Sequence, residues 1–308
     1  MAGIVGIILP LYALILIGFA AMRGGYLAPA HLAGVNALVM RVFLPAMIFL
    51  AIAGRPVAES LLPGAVLAYA AAGLAVLGLA FALARLAGQN WPRAAIEGMG
   101  ASCPNSGFFG LPMITLVLGG DVATRAFAHA VLVENMIVIP AAIALCDRGA
   151  ANGPRGLWRF AGGLARNPLL IAVAAGLVWA ATGWPLPELV RRVLAMMNPV
   201  AAPVALIAIG GALAGLSLSG EVAGAGRVIL AKLVVHPLLT LAAVMLFAPG
   251  LDGPMRLALV LYAAAPMMTI YTIFGARYGA EGLAVTAMLG AITASILTVP
   301  ALIRLLAP

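Results

Sequence analysis

The segment of this chain best furnished for chemistry reads Gly100-Ala-Ser-Cys-Pro104-Asn105-Ser106-Gly107-Phe-Phe-Gly110-Leu-Pro112. It lies inside an apolar run, so a continuous helix there would leave freed backbone groups without water. Pro104 cannot donate to the carbonyl four residues earlier, and Pro112 repeats the deficit two turns later. Gly107 and Gly110 add freedom. An unwound break near mid-membrane is therefore expected, flanked by two half-helices, with Gly110 and Pro112 as hinge positions. Amides opening the second half-helix carry partial positive charge and can receive an anion. Asn105 and Ser106 place donors and acceptors at the same depth.

A second break of the same kind is expected at Ala263-Ala264-Ala265-Pro266-Met-Met-Thr269. If the two segments run in opposite directions, both half-helix N-termini can aim at one point, with Pro104, Asn105, Ser106, Gly107, Ala265, Pro266 and Thr269 around a bound solute. Broken helices in corresponding places of two halves point to a transporter's midplane site. The plainer reading is a pair of proline kinks with no ligand.

Other polar residues interrupt apolar runs. Glu134 stands with Asn135 and His129, and a carboxylate in hydrocarbon costs roughly 2.5–3.5 kcal/mol on insertion scales. It reads as the only embedded acid, either a proton-coupling group or a hydrogen-bond partner for an unwound backbone. Asn135 leans structural, and His129 reads as interfacial. Arg41 either snorkels to the inner surface or lends positive charge to a vestibule for an anion. Lys232 and His236 lie one turn apart and can face together; Lys232, near a helix end, reads as snorkelling.

The elements that must position these groups follow from composition. With 65% hydrophobic and 8% charged residues, the chain departs far from soluble domains, of which about a quarter of residues are charged. At about 30 residues per helix and loop, the length holds roughly ten membrane helices. Apolar runs fall near 3–21, 33–53, 62–84, 94–118, 126–146, 168–183, 193–216, 226–248, 255–277 and 283–306. No basic segment precedes the first run, which reads as a span and not as a cleaved signal. With the N-terminus outside, eleven Arg and Lys residues fall on the inner side and six on the outer. That asymmetry puts both termini outside.

The most basic connection, Asp147–Arg166, divides the chain into five spans and five. An odd number per half implies an inverted repeat: residues 1–149, a cytoplasmic connection at 150–166, and residues 167–308. Asn36 before Pro45 in the second span echoes Asn198 before Pro203 in the seventh. The fold expected is thus all-α and membrane-integral, ten helices in a 5+5 inverted repeat with broken, crossed fourth and ninth helices.

Several function classes are excluded. The net charge of +8 is spread over loops without a cluster of bases, which argues against nucleic acid. There is no His-Glu-x-x-His metal site, no phosphate-cradling Gly-x-x-x-x-Gly-Lys loop and no Thr-Val-Gly-Tyr-Gly filter. No catalytic constellation is visible, so the chain reads as a non-enzyme without cofactor or metal. Cys103 and Cys146 form no metal-spaced set.

Pro104-Asn105-Ser-Gly-Phe-Phe-Gly110-Leu-Pro112 resembles the Pro-Asn-x-x-x-x-Gly-Ile/Leu-Pro motif of the auxin efflux carrier family, in its bacterial branch of malonate- and malate-transporter-like proteins within the bile-acid/auxin transporter superfamily. Ala264-Ala265-Pro266 followed by Arg277-Tyr278-Gly279, Phe43-Leu44-Pro45-Ala46 and Asn167-Pro168-Leu169-Leu170 are similar to further family segments. The resemblance implies a homodimer built on scaffold helices 1, 2, 6 and 7. It also implies a transport domain of helices 3–5 and 8–10, moving by an elevator mechanism. Pro104, Asn105 and Pro266 would belong to the substrate site. The chain lacks the long hydrophilic loop of the plant hormone carriers, and carries Ala265 where they commonly have Leu.

The function expected is a secondary transporter of small organic anions, carboxylates above all, in the lipid bilayer of a bacterial inner membrane. Proton or sodium coupling would run through Glu134. The alternatives are a coupled symporter of a non-carboxylate solute and a sensor that binds the same ligands without moving them.

Overall fold

The computed structural model describes residues 2–56, 61–148, 163, 166–215 and 221–306. The expected connection at 150–166, with Arg155 and Arg159, lies outside the described residues except for Gly163 and Arg166. Among the described residues every regular element is helical, and the one β-type pairing is an isolated bridge. The helices are α1 (Ala2–Arg23), α2 (Pro29–Ala53), α3 (Pro63–Leu86), α4 (Trp91–Ser102), α5 (Ser106–Leu118) and α6 (Gly120–Arg148). After the connection come α7 (Pro168–Thr182), α8 (Glu188–Ala214), α9 (Val222–Phe247), α10 (Gly253–Ala264), α11 (Tyr271–Arg277) and α12 (Glu281–Leu306).

Six of these, α2, α3, α6, α8, α9 and α12, are long and apolar enough to cross a membrane. Leu9–Arg23 of α1, with α5, α7 and α10, are shorter apolar helices. The expected fourth span is divided into α4 and α5, and the expected ninth into α10 and α11. Helix starts are marked by side-chain caps followed by proline, a combination suited to a first turn that lacks acceptors. Asn90 accepts from the Arg93 amide at 3.0 Å, Asn167 from Leu169 at 2.9 Å and Asp252 from Met255 at 2.7 Å.

Among the described residues, four helices widen into a π-turn, and each turn is followed by a proline. The turns are Val39–Phe43 before Pro45, Ser106–Gly110 before Pro112, Glu134–Val138 before Pro140, and Ala231–Val235 before Pro237. A proline removes the amide that would serve the carbonyl four residues back, and a wider turn lets the helix continue around the deficit. Pro112 accordingly sits in the first α-turn after the π-turn, with α5 unbroken through it.

The chain gathers into two compact units. The first comprises Met1–Pro63, Ser106–Val131 and Arg166–Leu216. Within it α1 lies against α8 at backbone distance, because a Cβ on Gly18 or Gly210 would collide with the Ile207 or Ile15 carbonyl. Small residues at such contacts let membrane helices approach closely. His129, expected at the interface, is instead fully buried here. Its Nε2 accepts from the Leu62 amide at 2.9 Å. The Nδ1–H therefore donates to the Arg125 carbonyl, also at 2.9 Å.

The second unit comprises Gly64–Asn105, Leu132–Ala165 and Ser217–Pro308. Its helices are equally close: a Cβ on Gly98 of α4 would stand 2.9 Å from the Leu77 carbonyl of α3, and one on Gly100 would stand 2.6 Å from the Tyr271 ring. Arg277-Tyr278-Gly279 closes α11. Gly279 turns at φ +73°, and the buried end of α6 receives the Tyr278 hydroxyl at Asp147 Oδ1, 2.5 Å away. Partial burial and the Asp147 carboxylate push the Tyr278 phenol up, which keeps it a donor.

Candidate functional site at two paired helix breaks

Both proline breaks fall within the second unit, and they bond to each other. The backbone leaves helix at Cys103-Pro104-Asn105 after α4, and at Ala265–Met268 after α10. Pro104 and Met267 form an antiparallel bridge. The Asn105 amide donates to the Pro266 carbonyl at 2.7 Å, and the Met268 amide donates to the Cys103 carbonyl at 3.1 Å. Each break supplies what the other lost, as apolar surroundings require of non-helical backbone. Tyr262, whose carbonyl would have bonded at Pro266, accepts instead from the Ala265 amide at 3.2 Å.

Side chains follow this geometry. The Asn105 amide group donates to Thr269 Oγ1 at 3.4 Å. Asn105 is buried and Thr269 exposed, so the pair runs from the interior to an accessible edge. Ala265 and Pro266 are buried in the break itself. Ser106 and Gly107 open α5, in the π-turn that ends at Gly110, and group with the first unit, as does Pro112. Arg41 belongs to the first unit too, exposed on the π-turn of α2.

Behind the breaks lies a polar cluster that sequence reasoning resolved only in part. Glu134 is buried and accepts from the Tyr69 hydroxyl at 3.0 Å. Asn135, beside it on the π-turn of α6, is half-buried. Lys232 does not snorkel: it is 0% exposed, with Nζ 2.9 Å from the Ala263 carbonyl and 3.0 Å from His236 Nδ1. Its charge lies within electrostatic reach of Glu134 and Cys103. The Tyr69 and His236 rings are 6.3 Å apart.

Glu134 is also not the only embedded acid. Glu97 of α4 is 1% exposed and receives Arg227 of α9 through both oxygens, at 2.8 and 3.0 Å. Such bidentate pairs hold a buried carboxylate in fixed geometry. The signal was present in the sequence: a lone Glu four residues into one apolar run and a lone Arg just inside another. Arg93 pairs with Glu221 nearby. Among the described residues no cluster of His, Cys, Asp and Glu is arranged to hold a metal ion.

The arrangement offers a buried carboxamide, an accessible hydroxyl and a short length of irregular backbone, backed by a buried amine. Those groups suit a small polar solute held by hydrogen bonds and positive charge. The chain is 28% identical over 284 residues, covering 91% of its length and 88% of the relative's, to a Rhizobium meliloti (strain 1021) protein named "Putative malonate transporter". The profile described as membrane transport protein matches residues 4–154 and 160–303. The chain is therefore a multi-pass membrane protein belonging to the membrane transport protein family, the auxin efflux carrier family its motifs resemble.

Proposed function

We propose that the chain is a secondary carrier of small organic anions, carboxylates in particular, across a bacterial cytoplasmic membrane. The observation that carries this reading is the pairing of two proline breaks by reciprocal main-chain hydrogen bonds, with Asn105 reaching Thr269 beside them. A carboxylate at that point would accept from Asn105 and Thr269. The relative's printed name supplies a matching solute, since malonate is a small dicarboxylate.

Carriage would follow an elevator motion, with helices 3–5 and 8–10 of the ten-span numbering moving and helices 1, 2, 6 and 7 forming the scaffold of a homodimer. The buried Glu134, within reach of both Tyr69 and the Lys232 charge, is the group through which protons would couple to transport. Exchange and uptake in proteoliposomes test the proposal, using malonate, malate and indole-3-acetate with and without a pH gradient. Saturable counterflow of a carboxylate is expected. Binding of the same anion without counterflow would identify a sensor, and no interaction with any carboxylate would remove the substrate class.

A further inference from the structure

The pairing of the breaks leaves two helix carbonyls without their helical partners, and both face one pair of side chains. In an unbroken α10 the Ala263 carbonyl would accept from the amide of Met267, but the backbone leaves helix there and the bridge opposite Pro104 is closed by the amides of Asn105 and Met268. In an unbroken α4 the Ala101 carbonyl would accept from the amide of Asn105, which goes to Pro266. These carbonyls lie at the negative ends of their helices. Lys232 Nζ meets the first at 2.9 Å. His236 turns its ring toward the second, with Nε2 short of hydrogen-bond geometry.

As an ammonium, Lys232 has three donors and no acceptor, so it would donate to the Ala263 carbonyl and, at 3.0 Å, to His236 Nδ1. In that state His236 carries its proton on Nε2, which has no hydrogen-bond partner among the described residues. The pair is enclosed on all sides. Glu134 of α6 faces Lys232 electrostatically, as does the Cys103 thiol from the fourth-span break. Tyr69 of α3 bonds Glu134, and Tyr262 of α10 lies within reach of the same carboxylate. Lys232 and His236 themselves are 0% and 1% exposed.

We propose that Lys232, oriented by His236, is the resident cation of the paired breaks: it ties down the end of α10 and lends its charge to an anion held at Asn105 and Thr269. It is a positioning residue, acting through Ala263 on the backbone that carries Pro266. Because the protein supplies this charge itself, anion binding needs no added metal cation. The inference rests on the carboxylate reading above.

The test compares malonate binding and counterflow in sodium-containing and sodium-free choline buffer, for the wild type, Lys232→Met and Lys232→Ala. The wild type is expected to show no sodium dependence. Both variants are expected to bind malonate roughly tenfold more weakly, with ethylammonium, which fits the vacated space, restoring Lys232→Ala and not Lys232→Met. Saturable sodium dependence in the wild type overturns the proposal, as does wild-type affinity in Lys232→Met. If neither variant folds, the wild-type sodium titration alone decides. If the wild type binds no carboxylate, the carboxylate reading falls, and thermal unfolding still tests the cation. Ethylammonium should then stabilise Lys232→Ala and leave the wild type unchanged; an equal response in both would overturn it.

Discussion

Two sets of prolines in this protein meet opposite fates. Pro45, Pro112, Pro140 and Pro237 each follow a π-turn, and the helix continues through them. Pro104 and Pro266 end a helix, and the chain leaves in extended form. The local chemistry is the same in all six: a missing amide and a clash with the preceding turn. What differs is the company. Residues around Pro104 and Pro266 find each other, and two reciprocal main-chain bonds replace those lost. The π-turn is a repair made within one helix, and the break is a repair made between two. Only the second leaves a stretch of extended, non-helical backbone, with the Asn105 side chain beside it.

The comparison can be broken most severely at the break itself. Pro266→Ala returns an amide to Tyr262 and lets α10 run on, competing with the bridge to Pro104. Malonate counterflow is expected to fall by more than about tenfold. A variant with wild-type counterflow would show that the extended pairing is dispensable. Asn105→Ala leaves the backbone pairing in place and removes one hydrogen bond to a charged ligand, worth about 1.5–3 kcal/mol. A half-saturation constant raised by roughly ten- to a hundredfold is expected, with thermal stability close to wild type. Unchanged affinity would take Asn105 out of the site.

Smaller effects sharpen the account. Glu134→Gln keeps an acceptor for Tyr69 and removes the charge. Carriage at equal pH on both sides should survive, while the response to a pH gradient disappears. A full gradient response in that variant would leave Glu134 only its hydrogen bond. Pro112→Ala is expected to do least, changing counterflow by no more than about twofold, because the π-turn can relax to α-helix when the amide returns. A large loss there would mean that the wide turn at Ser106–Gly110 shapes the site directly.

Much of this was legible in the residues. The prolines at 104 and 266, in apolar runs with Asn105 and Thr269 beside them, pointed to both breaks and to their polar furniture. Apolar run length located the apolar helices, six of which, among the described residues, are long enough to cross a membrane. The partners were not legible. That the Asn105 amide would meet Pro266, and Lys232 the Ala263 carbonyl, depends on contacts far apart in sequence. Lys232 was misread as snorkelling because distance from a helix end says nothing about which face the residue occupies. Glu97 escaped notice for the same reason, since its buried state depends on Arg227 of another helix. Pro112 was read as a break because sequence shows the lost amide and not the turn that accommodates it.

The location of the anion is tested most directly by ligand protection at the accessible edge of the paired breaks. Thr269 is exposed, whereas both native cysteines, Cys103 and Cys146, are buried and free. In a Thr269→Cys variant a polar thiol reagent should therefore label one position, and the rate can be followed with and without saturating malonate. The result expected is labelling slowed several-fold by malonate and unaffected by an uncharged solute of similar size. Equal rates with and without malonate, in protein that still exchanges it, would contradict a substrate site at Asn105 and Thr269.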